Sequence, residues 1–123
     1  MASELRVTTV ANNAGTESVN TTYVINGSAK AWFHYNQQAG NEAVRDSFNI
    51  SSITDNSTGI YTNTFASNMN NSFYNVTGGT RGNRHQFNTD TGTTTGRAYR
   101  TGDANNTVND ADSNCWTTMG DLA

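Results

Sequence analysis

The feature that most constrains the fold is a side-chain composition that is polar yet almost uncharged. Asn and Thr together supply about a third of the 123 residues, whereas Asp, Glu, Lys and Arg make up only 14%. Asn, Thr, Ser and Gly are disfavoured in helices, because their side chains compete for backbone hydrogen bonds or because they lose conformational freedom there. Thr and the aromatic residues, by contrast, suit a pleated, half-buried surface. The composition therefore predicts an all-β fold.

Several other classes of protein are excluded by the same numbers. Disorder is disfavoured because charge is low, Pro is absent and 10% of the residues are aromatic. The net charge of −3 gives no field that attracts nucleic acid, and no apolar run is long enough for a membrane span. Residues 1–4 lack the basic and apolar regions of a secretory signal. The only cysteine, Cys115, rules out an intrachain disulfide and is predicted to be a small buried hydrophobe.

Short segments with strand character alternate with turn signals along the chain. The strand candidates are 5–10, 29–35, 46–53, 60–65 and 73–77, with less regular patterns at 23–25, 84–87, 98–100 and 115–119. The turn candidates, rich in Gly and Asn, are 12–15, 26–27, 38–41, 55–59, 68–71, 77–82 and 102–106. Asn26-Gly27 has the sequence of a two-residue hairpin turn, and 41–46 is the one place predicted to form a helical turn. This spacing predicts a small antiparallel β-sandwich or barrel.

The apolar content is low for a chain that folds alone. Alternation in 29–35 places Ala31, Phe33 and Tyr35 on one face, and Trp32 and His34 on the other. Burying both faces needs something on each side of the sheet, and a second copy of the chain is the simplest source. We therefore expect a homo-oligomer, arranged around a cyclic axis.

No pattern in the sequence predicts catalysis. The letters of 90–93, Asp-Thr-Gly-Thr, match an aspartic-protease loop, but the polar residues before them favour a Thr-rich turn. His34 and His85 have no metal-ligand spacing around them, so both are interpreted as structural or surface residues. We expect a protein that is not an enzyme and that has no cofactor.

Two loops carry the remaining candidate sites. Oxygen donors at alternate positions resemble a calcium loop that lacks the EF-hand glycine and closing glutamate; the candidates are Asp103, Asn105, Thr107, Asp110 and Asp112. The other interpretation of these residues is a solvated loop. The Gly-rich segment 77–84, which contains Arg81 and Arg84, is either an anion site or a flexible hairpin tip. It is not a P-loop.

The surface chemistry also fits a lectin-like module. Amide and hydroxyl side chains beside Trp and Tyr can bond sugar hydroxyls and stack on sugar rings. Such a surface stays soluble with little charge and is insensitive to salt screening. A carbohydrate-binding module is therefore one alternative function.

One stretch of sequence resembles a known module. Residues 29–36 (AKAWFHYN), 44–56 (VRDSFNISSITDN) and 59–62 (GIYT), followed by Phe65, resemble a module of small tail-fibre-like virion proteins in marine bacteriophages. Residues 5–16 and 120–123 are similar to the two ends of such proteins. The likeness is nearly continuous over 29–79 and poor over 80–115.

The resemblance implies a non-enzymatic structural protein of a tailed-phage virion, on a tail fibre or related surface appendage. It implies a β-rich homotrimer made in the host cytoplasm and carried on the particle exterior, where it contacts other virion proteins and a host-surface glycan. A capsid decoration, head-fibre or cement protein is the alternative position on the particle. The resemblance implies no catalytic residues.

The resemblance also implies how the chain is divided. Residues 1–28 are expected to be an N-terminal strand and attachment segment, and 29–123 a β-domain with variable Gly- and Thr-rich loops at 78–112. Contacts to the outside are assigned to those loops, where the candidates are Arg81, Arg84, Arg97 and Arg100. The expected scaffold residues are Trp32, Phe48, Ile50, Tyr61, Phe65 and Tyr74.

Overall fold

The computed structural model describes residues 3, 5–81, 85–88 and 92–123, and for 85–88 it describes the backbone alone. Within these ranges the chain is built from strands and one short helix. In chain order they are β1 (Thr9–Ala11), β2 (Ser18–Asn20), α1 (Thr21–Gly27), β3 (Ala29–Asn36), β4 (Ala43–Phe48), β5 (Ile50–Ser57), β6 (Ile60–Phe65), β7 (Asn75–Thr80), β8 (His85–Asn88), β9 (Gly96–Gly102) and β10 (Asn114–Met119).

Two antiparallel four-stranded sheets make up the body of the molecule. The first has the strand order β4-β3-β10-β7 and the second β5-β6-β9-β8, while β1 and β2 form a separate hairpin. Core side chains come from both sheets, with Phe33 and Trp116 from the first and Tyr61 and Tyr99 from the second. The predicted all-β, antiparallel fold is confirmed.

The core is a stack of aromatic rings between the sheets. Tyr61 and Tyr99 are fully buried and stack with ring centroids 5.5 Å apart, while the Trp116 ring lies 4.5 Å from that of Tyr99. The Trp116 indole N–H donates to the Tyr61 hydroxyl at 2.7 Å. Burial raises the pKa of Tyr61 and of Tyr99 above the ordinary value of 10.0. Aromatic rings therefore supply the apolar area that the composition makes scarce.

Buried amides account for part of the Asn content. The Asn114 side chain is fully buried, where its Nδ2 donates to the Ala111 carbonyl at 3.2 Å and its Oδ1 accepts from the Thr101 hydroxyl at 3.1 Å. Thr101 belongs to β9 and Asn114 to β10, so this bond joins the two sheets. A buried polar side chain is tolerated there because its hydrogen-bonding groups have partners.

A single residue moves the chain from one sheet to the other. Asn49 has φ of 56° and lies between β4 and β5, which belong to different sheets. Its Oδ1 accepts from the Ser67 N–H at 2.6 Å, and its Nδ2 donates to the Lys30 carbonyl at 3.0 Å. The prediction of one continuous strand over 46–53 is wrong for this reason. Phe48 and Ile50 do not share a face: Phe48 is exposed, whereas Ile50 packs against the core.

Two predicted turns are strands. Residues 77–82 were expected to turn, but β7 runs through Gly78 and Gly79 to Thr80, beyond the predicted strand at 73–77. A Cβ on Gly78 would lie 2.7 Å from Cδ2 of Trp116 and also clash with the Cys115 carbonyl oxygen. The absence of a side chain at Gly78 thus leaves room for the Trp116 ring. The helical turn predicted at 41–46 is also wrong, because β4 begins at Ala43.

The helix itself was not predicted. Residues 23–25, expected to be a strand, lie in α1, and the expected hairpin turn Asn26-Gly27 is the end of that helix. The cause is Asn20, which caps the helix by accepting from the Thr22 N–H at 2.8 Å. The strand expected at 5–10 is likewise short, since β1 covers only Thr9–Ala11.

Candidate functional site

The N-terminal segment 5–28, which we call the arm, leaves its apolar side chains in solvent. Every residue in it is exposed except the half-buried Thr21. The exposed large apolar side chains are Leu5, Val7, Val10, Val19, Tyr23, Val24 and Ile25. Clusters of this kind on a soluble protein mark interaction surfaces.

Polar contacts give the arm a defined shape. Gly15 takes φ of +68° in the turn between β1 and β2, and the Asn12 side chain accepts from the Thr16 N–H at 3.0 Å. The Thr21 hydroxyl donates to the Val7 carbonyl at 3.0 Å, which fixes the start of α1 against the segment before β1. Between α1 and the segment before β1 lies an open groove of about 520 Å³, whose apolar lining includes Leu5, Val7, Val24 and Ile25.

A second exposed apolar surface lies on the outer face of the first sheet. Trp32 of β3 stands directly opposite Phe48 of β4 and opposite Thr117 of β10, so the three side chains share one face. Trp32 is 36% exposed and Phe48 53%. Both point away from the core, and the expectation that they are scaffold residues stays a prediction. The predicted division of β3, with Phe33 inward and Trp32 outward, is confirmed.

Cys115 lies on the same outer face, which corrects the prediction that it is buried. It is exposed and stands opposite His34 across β3 and β10. Side chains alternate between the two faces along β10, and the residues on either side of Cys115, Asn114 and Trp116, are buried on the inward face. His34 Nε2 lies 2.9 Å from the Ser113 hydroxyl and 3.4 Å from Nη1 of Arg45. A groove of about 310 Å³ runs beside these residues.

The three candidate arginines that the structure describes each contact a different partner. Arg81 pairs with Asp112 at 3.2 Å, Arg97 lies over the Tyr74 ring at 5.9 Å, and Arg100 donates to the Asn106 carbonyl at 2.9 Å. Arg84 lies outside the described residues. The side chains that are described thus have separate structural contacts.

The candidate calcium residues also have separate partners. Asp103 Oδ1 accepts from the N–H groups of Asn105 and Thr107, both at 2.9 Å. Asp110 Oδ1 accepts from the Gly59 N–H at 2.6 Å, and Asp112 binds Arg81. Over residues 3, 5–81 and 92–123, no three acidic, His or Cys side chains are grouped as a metal would require.

Other sequence motifs fall partly or wholly beyond what is described. Asp90 and Thr91 of the protease-like tetrapeptide lie outside the described residues, as do Gly82 and Asn83 of the Gly-rich segment. The His85 side chain is also outside them. Of the described helical residues, none belongs to a helix long and apolar enough to cross a membrane.

Sequence reasoning missed most of the two apolar surfaces. The signal for the arm was Asn20 followed by Thr-Thr-Tyr-Val-Ile, an N-cap ahead of apolar residues. The signal for Phe48 was Asn49, a residue type that tolerates positive φ at a corner. No protein-family model matches the chain, and no curated protein or solved structure shows significant similarity to it.

Proposed function

We propose that this chain is a non-enzymatic structural subunit that assembles with copies of itself. In this proposal it is a homotrimeric component of a tailed-phage virion, carried on a tail fibre or related surface appendage. The observation that carries the self-assembly is the arm, a hydrogen-bonded segment whose large apolar side chains are left exposed by the rest of the described chain. The virion assignment rests on the resemblance of 29–79 to phage appendage proteins.

The first test compares two valines that are equally exposed. Val24 lies in the arm and is 45% exposed, whereas Val44 lies on edge strand β4 and is 44% exposed. Light scattering at micromolar concentration should give a mass three times 13.3 kDa for the parent chain. Val24→Ser should shift the protein toward a monomer because it places a hydroxyl in the apolar groove. Val44→Ser should leave the mass unchanged, and a monomeric parent chain would contradict the proposal.

Position on the particle needs a separate measurement. Quantitative mass spectrometry of purified virions should find a low copy number for a fibre protein and a several-fold higher one for the capsid decoration or cement alternative. Absence of the chain from purified particles would contradict both.

A lectin-like module is the second candidate function, and the outer face favours it. The exposed aromatic side chains of Trp32 and Phe48 share a face with the hydroxyl of Thr117, a combination suited to stacking on a sugar and bonding its hydroxyls. If this function holds, simple sugars in large excess should raise the melting temperature of the chain in a thermal-shift assay. A matched Trp32→Ala variant should lose that rise, and no rise in the parent chain counts against sugar binding.

A further inference from the structure

We propose that the arm of one copy docks on the outer face of the first sheet of a second copy, with Trp32 and Phe48 entering the arm groove. This inference rests on the proposed self-assembly and names its contact. Both halves of the contact are present in every chain: an open, apolar-lined groove of about 520 Å³ and an exposed aromatic pair.

The aromatic pair has the character of an interface anchor. Trp32 and Phe48 are direct cross-strand neighbours and both extend from the outer face. Large aromatic side chains that enter a pocket on the partner supply much of the binding energy in protein interfaces. The hydroxyl of Thr117 and the ring of His34 flank the pair and give it the polar rim that such anchors have.

The arm matches this surface in chemistry and in size. Its groove is lined by Leu5, Val7, Val24 and Ile25, which are aliphatic and thus complementary to aromatic rings. The whole segment 5–28 is comparable to the ~20–30 residues that one partner contributes to a standard interface. One arm is therefore large enough to form a specific contact by itself.

Within the described residues, the arm groove does not cover the aromatic pair of its own chain. Only Ser28 separates α1 from β3, and the Lys30 ammonium donates to the Ile25 carbonyl and to the Ser28 hydroxyl, the latter at 2.6 Å. The Ser28 N–H also donates to the Val24 carbonyl at 3.1 Å. These bonds hold the arm at the start of β3 in an orientation that leaves Trp32 exposed, so the groove that covers Trp32 comes from another copy.

The contact has a consequence for symmetry. Groove and aromatic pair are different surfaces, so the interface is head-to-tail, and head-to-tail contacts close into rings or continue as filaments. A ring of three copies, each giving one arm and receiving one, agrees with the proposed homotrimer.

The lone cysteine makes the contact testable by crosslinking. Cys115 lies on the outer face, two residues before Thr117, which pairs with Trp32. Cys115 and Trp32 are therefore diagonal neighbours, roughly 7–8 Å apart. A Val24→Cys variant places a thiol in the arm groove. Because a direct disulfide needs Cα atoms closer than ~7 Å, a short bismaleimide is the suitable reagent. A mixture of ¹⁵N-labelled and unlabelled chains identifies links between copies.

The expected product is a mixed-isotope peptide linking position 24 of one copy to position 115 of another. Val44→Cys, equally exposed but outside the arm, should give at least tenfold less linkage to Cys115, and Val24→Cys with Cys115→Ser should give none. Trp32→Ser should weaken self-association at least tenfold, whereas Phe73→Ser, at a 92% exposed side chain that lines neither groove, should not.

Three results would overturn the inference. A trimer without 24–115 linkage leaves the proposed self-assembly standing and shows that the arm docks elsewhere. A chain that is monomeric under all conditions contradicts both the proposed self-assembly and the proposed contact of the arm. Protection of Cys115 from alkylation by sugars, in a chain that stays monomeric, assigns the outer face to glycan instead.

Discussion

The sandwich, residues 29–123, and the arm, residues 5–28, use apolar side chains in opposite ways. The sandwich buries Phe33, Tyr61 and Trp116 between two sheets, while the arm buries none of its large side chains. Burial of apolar surface is the main source of folding free energy. Apolar burial therefore stabilises the sandwich within one chain, whereas the arm gains little stability from its own apolar side chains.

The largest effect is expected inside the sandwich. Phe33 is 3% exposed and its ring lies 5.5 Å from that of Tyr99, whereas its neighbour Trp32 points outward. Phe33→Ala should lower the free energy of unfolding by about 3–5 kcal/mol because it leaves a cavity. Trp32→Ala should cost less than half of that. Urea unfolding of the dilute protein measures both, and equal losses would contradict the division of β3 into two faces.

Alkaline pH should act on the sandwich and spare the arm. Burial raises the pKa of Tyr61 and Tyr99 in the folded state, so the folded chain keeps its phenol protons after the unfolded chain loses them. Their contribution is complete below pH 10 and is lost as pH rises above it. Between pH 10 and 11 the free energy of unfolding should fall by about 2 kcal/mol.

Urea unfolding at pH 8, 10 and 11 checks this, with Tyr99→Phe as the matched variant. That variant should show a smaller fall, since one of the two fully buried phenols is gone. An unfolding free energy independent of pH over this range would show that the two hydroxyls are accessible to solvent.

Adjacent glycines of β7 provide a smaller, sharper test. A Cβ at Gly78 meets the Trp116 ring, but at Gly79 it meets nothing within 4 Å. Gly78→Ala should destabilise the protein by about 1–3 kcal/mol through overpacking, while Gly79→Ala should be close to neutral. Calorimetric melting temperatures measure the difference. Two equal shifts would mean that β7 does not hold Trp116 as described.

The smallest effect is expected in the arm. Ile25 is 58% exposed, and Ile53 of β5 is half-buried against the core. Ile25→Ser should change the unfolding free energy of the dilute chain by less than about 0.5 kcal/mol, as for other surface positions. Ile53→Ser should cost clearly more, because it places a hydroxyl beside the aromatic stack. A large loss at Ile25 would show that the arm belongs to the sandwich core.

Alternation along the strands was the predictable part of this fold. The pattern of 29–35 gave β3 its correct faces, and 60–65 gave β6 its bounds. The errors occur where one polar residue changes the course of the chain. Asn49 reverses the facing of Phe48 through a positive φ, and Asn20 starts a helix in a segment whose Thr, Val and Ile favour strands. Propensity cannot resolve such positions, since Asn is equally suited to turns, corners and caps.

The candidate site was harder to predict than the fold. Alternation correctly placed Trp32 outward, but Cys115 was assigned to the core from residue type alone. The face on which Cys115 lies depends on how β10 pairs with β7. In that pairing the Trp116 ring lies on the inward face opposite Gly78, so Cys115 takes the outward face. That register is a property of two paired strands, so neither sequence segment contains it alone.

The placement of the two indoles gives this molecule a pair of built-in optical reporters. Trp116 lies against the Tyr99 ring and is hydrogen-bonded to Tyr61, while Trp32 is partly exposed on the opposite side of the same sheet. Emission from the first will respond to loss of the interior and emission from the second to anything that covers the exterior. Denaturation and association can therefore be followed separately in the unlabelled chain, with a single-tryptophan variant isolating each signal.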